Sequence, residues 1–107
     1  MMILKYDIDI KSEEVIATLK YLTNQIYKLL PSREEGLDWA TPLDTIIEEL
    51  AGMARLFLGN HHNIFFPLIC KLEGLFELTE QADFLLFRRI IFECLSLLSD
   101  LIKVCQD

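Results

Sequence analysis

His61 and His62 are the chain's two histidines, side by side between Asn60 and Asn63 in ARLFLGNHHNIFFP, residues 54–67. Imidazole changes charge near neutrality, so a histidine pair raises the prospect of acid–base catalysis or metal binding. A zinc site takes three or four ligands, with paired spacings such as C-x-x-C or H-E-x-x-H. Neither spacing occurs in the chain. Adjacent side chains also point apart unless a loop bends them together. The simpler reading is a polar hinge, in which Asn60 helps end one helix through the left-handed conformation asparagine tolerates, and Asn63 caps the next.

Carboxylates give the other metal candidates. Asp44 and Glu48 lie four residues apart, as do Glu73 and Glu77, so each pair shares a helix face. Packed side by side, the two helices could hold magnesium, as helical nucleotide pyrophosphohydrolases do. The denser E-x-x-E and E-x-x-D patterns and flanking lysines of those enzymes are missing, and no E-x-x-H di-metal motif occurs. These four residues are therefore expected to be solvated, and no cofactor is expected. No glycine-rich phosphate loop or Cys-x-x-Cys appears, and no glycine-rich turn presents a serine nucleophile.

Arg55 precedes His61 by five intervening residues and His62 by six. This spacing resembles the R-x(4–6)-H pattern of the HEPN ribonucleases, small helical domains that often dimerise to form one RNA-cleaving cleft. The resemblance covers residues 55–62, and Leu56 stands where that family usually has a polar residue. It implies a metal-independent ribonuclease in which His61 or His62 moves the proton and Arg55 holds the phosphate. It stands as the alternative to a protein–protein interaction role.

Seventeen acidic side chains against ten basic ones give a net charge of -7. That balance works against the phosphate contacts that dominate nucleic-acid affinity. No basic recognition helix is present, and the one adjacent basic pair, Arg88 and Arg89, interrupts an apolar surface. The acids are spread through the sequence, so they form no disordered acidic tail. The start, MMILKYDIDIKSEE, lacks the apolar core of a signal peptide, and no apolar run approaches the ~20 residues of a membrane span. Cys70, Cys94 and Cys105 are odd in number, far apart and set among apolar residues. Together these features predict a soluble cytoplasmic protein with reduced, buried thiols.

The elements that position these residues follow from periodicity. At 107 residues the chain is one domain. Residues 1–11 read as a short extended arm or an edge strand completed by another copy of the chain or by a partner, because KYDIDI alternates Tyr6, Ile8 and Ile10 with polar residues. Helices are predicted over about 12–30, 42–58, 63–78 and 80–105. The first starts at Ser12, carries Val15, Leu19, Leu22, Ile26 and Leu29 as its stripe, and ends at Pro31. Trp39 is expected to anchor the following connection. The second should be capped by Thr41, with Pro42 first in the helix, Leu43, Ile46 or Ile47, Leu50, Met53 or Ala54, and Phe57 on its core face, and Gly52 marking close packing. Ile69, Leu72 and Phe76 are the predicted inner face of the third, with Pro67 in or near its first turn. Thr79 should cap the fourth, whose seam is Phe84, Phe87, Ile91, Cys94, Leu98, Leu101 and Cys105.

Beyond that seam, Leu85, Phe92, Leu95 and Ile102 lie to one side and Leu86, Ile90 and Leu97 to the other. A helix apolar on nearly all sides has neighbours in its own subunit and in a second one. The fold expected is all-α, an antiparallel four-helix bundle that dimerises through its last helix, with Leu85, Ile90, Phe92, Leu95, Ile102, Tyr6 and Ile8 at interfaces. The function expected is protein–protein interaction, as an adaptor, an inhibitor or immunity protein, or a small subunit of an assembly. Further partners would be basic or present an apolar groove.

Overall fold

The computed structural model describes residues 12–56 and 62–106. The expected arm, with Tyr6 and Ile8, and the hinge residues 57–61, with His61, lie outside the described residues. Among the described residues four α-helices are formed: α1 (Ser12–Glu34), α2 (Ala40–Leu56), α3 (His62–Gly74) and α4 (Phe84–Gln106). Each helix packs on the next in the chain, and α4 returns to pack on α1. That closed ring is an all-α antiparallel bundle, 45 Å long and 20 Å across. Among the described residues, no helix is long and apolar enough to cross a membrane.

The core follows the predicted stripes on three helices. From α1, Val15, Leu19, Leu22, Ile26 and Leu29 are buried, and Leu30 joins them. α2 contributes Leu43, Ile46 and Leu50, and α4 contributes Phe87, Ile91, Cys94, Leu98, Leu101 and Cys105. On α3 the inner face is Phe65, Leu68 and Leu72, continued by Leu75, whereas Phe76 is exposed and Ile69 only half-buried. Phe65, Leu68, Leu72 and Leu75 recur at three and four and so form one helical stripe, and the chain tightens into a 3-10 turn at Leu75–Glu77 only where that stripe ends. Phe76 instead stacks beside Trp39 at 6.5 Å.

Several helix ends differ from expectation. Pro31 lies inside α1, which continues to Glu34. Pro31 is exposed, so the Tyr27 carbonyl that loses its amide partner faces water. α1 ends instead at Gly36, whose φ of 74° is the left-handed conformation glycine adopts without strain. The Leu37 amide donates to the Ser32 carbonyl at 2.8 Å and the Gly36 amide to Arg33 at 3.2 Å, the paired bonds of a Schellman motif.

α2 begins one residue before Thr41, and Asp38 is its capping side chain. Its Oδ1 accepts from the Ala40 amide at 3.1 Å and the Thr41 amide at 3.2 Å. These bonds, led by those with Thr41, hold the Asp38 carboxyl below the usual carboxylate range. Gly52 is exposed, and a Cβ there would have no neighbour within 4 Å, so it marks no close packing. α3 already includes Asn63 in its first turn, so Asn63 does not precede the helix as its cap, and Pro67 falls in the second turn. Thr79 does not cap α4 either. An extended Glu80 and a 3-10 turn at Gln81–Asp83 precede that helix.

Candidate functional site

Arg55 is exposed in the last turn of α2. His62 is the first residue of α3, while His61 lies outside the described residues. Asp44 and Glu48 are exposed on α2, Glu73 is exposed on α3 and Glu77 on the turn after it. Among the described residues no group of three or more histidine, cysteine, aspartate or glutamate side chains could hold a metal ion. The thiols divide by burial. Desolvation pushes Cys94 up to about 12 and raises Cys105 as well, so both stay protonated and unreactive near neutrality. Cys70, expected in the core, is exposed, because it falls on the outer side of α3, two residues past the buried Leu68 and two before the buried Leu72.

Two surfaces remain where side chains converge. At one pole, Arg33 near the end of α1 reaches the linker before α4. Its Nε and Nη2 donate to the Leu78 carbonyl at 3.1 and 2.7 Å, and Nη2 donates to Glu80 at 2.7 Å. The guanidinium also lies 4.7 Å from the ring centre of Phe87 and 5.4 Å from that of Phe84. Trp39 meets the same Phe87 edge-on at 5.1 Å, as an anchor of the α1–α2 connection. An open cleft of about 820 Å³ lies beside this knot, lined in part by Leu37, Trp39, Phe84 and Leu85. Arg33 already serves two backbone carbonyls and two rings there, so its evident work is to close the end of the bundle. Sequence reasoning missed it because ending α1 at Pro31 put Arg33 in a loop. The glycine three residues on, at the left-handed position of a helix stop, was the available signal.

The second surface is α4. Its buried seam is complete, yet Leu85 is 75% exposed, Leu86 46% and Phe92 44%. Two contacts orient the helix. Glu93 pairs with Lys71 of α3 at 3.6 Å, whereas Phe84 lies under Arg33 of α1. Leu85, Phe92, Leu95 and Ile102 therefore share the flank toward α1, and Leu86, Ile90 and Leu97 share the flank toward α3. Leu95, Ile102 and Ile90 are partly buried against the core. The structure thus separates Ile90 from the other α4 interface candidates. On α1, Tyr21 lines a crevice with α2. Tyr27, 56% exposed, falls on the opposite flank, toward α4. Arg88 crosses the α4 flank with its guanidinium 5.2 Å from the Phe92 ring centre.

The fold and the surface define a four-helix bundle with an apolar flank on its last helix. Compared with known proteins, the chain matches no family model, no curated protein and no solved structure.

Proposed function

We propose that this chain is a cytoplasmic protein–protein interaction module that forms a homodimer through the α1-facing flank of α4. The observation that carries the reading is the exposure of Leu85 and Phe92 on a helix whose own core face is already filled. Large apolar side chains grouped on one flank favour association, because covering them removes apolar area from water. Tyr27 extends the same apolar surface from α1. The carboxylates of α2, including Asp44, Glu48 and Glu49, stay exposed and give a second partner of basic character a surface to approach.

Sedimentation equilibrium tests the proposal. The parent chain is expected to be dimeric at micromolar concentration, and the double substitution Leu85→Glu with Phe92→Glu monomeric with unchanged helix content. A parent chain that stays monomeric at high micromolar concentration would overturn it.

A further inference from the structure

Residues along α4 come in doublets: Phe84 and Leu85, Phe87 and Arg88, Ile91 and Phe92, Cys94 and Leu95, Leu98 and Ser99, Leu101 and Ile102. The first members form the inner seam, all buried except the partly buried Phe84. One residue, or 100°, further round the helix, the second members repeat the same spacing of three and four. They make a second heptad seam, with Leu85, Phe92 and Ser99 in one row and Arg88, Leu95 and Ile102 in the other. A seam of that kind is the surface one helix offers to another.

We propose that two copies of the chain pack these outer seams together in antiparallel register, Leu85 against Ile102 and Phe92 against Leu95 of the second copy. The inference rests on the dimer reading above and adds orientation and register. In an antiparallel pair each row of one helix meets the other row of its mate, so Leu85 faces Ile102, Phe92 faces Leu95, and Arg88 faces Ser99. The two-fold axis repeats all three layers, and each large apolar residue meets another. In a parallel pair each row would meet itself. Arg88 would then face Arg88 inside the seam, an unpaired like-charge contact.

Charge beside the seam favours the same orientation. Arg89 and Asp100 are both exposed. In this register Arg89 comes within two residues of level with Asp100 of the second copy, about 3 Å along the axis. In a parallel pair Arg89 and Asp100 of the second copy, eleven positions apart, would be separated by about 16 Å along the axis. The bundle face that carries the seam, 45 by 20 Å, is large enough for the roughly 800 Å² per partner that stable dimers bury.

Single-cysteine crosslinking tests the register. Leu85→Cys and Ile102→Cys are made separately in a Cys70→Ser background, and each is treated with a short bis-maleimide alone and after mixing. Covalent dimer is expected to form at least about fivefold more in the mixture than in either variant alone. Crosslinking of each variant alone, with no gain on mixing, would overturn the antiparallel arrangement. Sedimentation of the same samples separates the two proposals. A dimer without the mixed crosslink refutes the register only, whereas a monomer refutes the dimer and the register with it. A charge exchange checks the result without touching the apolar residues. Arg89→Glu and Asp100→Arg should each weaken dimerisation about three- to tenfold, and the two together should recover to within about threefold of the parent. Additive weakening in the double variant would also overturn the register.

Discussion

Removing the Arg33 side chain should open the pole of the bundle at which α1 meets the start of α4. Its guanidinium is half-buried and holds two carbonyls of a non-helical linker together with two aromatic rings. A hydrogen bond from a charged donor contributes about 1.5–3 kcal/mol when shielded. The Leu78 carbonyl is part-buried and fits the lower end of that range, whereas water can replace the donor at the exposed Glu80 carbonyl. The contacts with Phe87 and Phe84 add about 0.5–1 kcal/mol each at a partly solvated site. Arg33→Ala is therefore expected to cost about 2–4 kcal/mol, a large share of the 5–15 kcal/mol typical of a domain. Arg33→Lys keeps the charge and most of the stem but not the planar fork, so it should recover no more than about half. Urea melts at one fixed protein concentration give the values, since dimerisation would make stability depend on concentration. Amide exchange should speed up at Leu78 and Asp83, whose amides donate to Leu75 and Glu80 in this linker. A cost under about 1 kcal/mol for Arg33→Ala, with Arg33→Lys indistinguishable from it, would refute the view that Arg33 pins the pole.

Leu98→Ala, at a fully buried position of the inner α4 seam, is expected to destabilise by about 2–5 kcal/mol in the same melts. Gly52→Ala should stabilise by about 0.5–1 kcal/mol, because the site is helical, exposed and open to a methyl group; a lower melting point would mean that the position is crowded after all. Asp38→Ala should lower the melting temperature at neutral pH by removing the cap of α2. The folded-state pKa of Asp38 is depressed, so its stabilisation is present above its ordinary value of 3.8 and fades as pH falls through the lower folded value. The gap between parent and variant should accordingly begin to narrow near pH 4 and go on narrowing as the pH is lowered further.

Periodicity was enough to place the core of three helices, because in each the buried residues recur at three and four without interruption. It failed on α3, where the buried stripe Phe65, Leu68, Leu72 and Leu75 lies one position back from the expected Ile69 and Phe76, and both sets repeat at three and four, so spacing alone does not choose between them. Helix ends were less legible, since several residues compete for each role. Thr41 followed by Pro42 looks like a helix start, but the carboxylate of Asp38, three residues ahead, reaches two amides at once. Pro31 looks like a stop, but a proline on the exposed side of a helix costs one hydrogen bond, and water can take up the freed carbonyl. Arg33 could not have been found from spacing alone, because its partners are backbone carbonyls 45 and 47 residues away.

The choice between the two seams of α4 could also be argued from residue type. Both repeat at three and four, so periodicity alone does not decide which one faces the core. The inner seam contains no side chain more polar than cysteine, while the outer one carries Arg88 and Ser99 among its apolar residues. A buried arginine without a paired charge is far more costly than a buried thiol, so the inner seam must take the core. The outer seam keeps Leu85 and Phe92 exposed, with Leu95 and Ile102 beside them partly buried against the core. Arg88 suits an interface that stays partly wet, since its guanidinium can lie on the Phe92 ring while its charge reaches water at the edge. A seam of this mixed character is too polar to be the core. Its apolar residues beside an arginine are what the proposed dimer would cover.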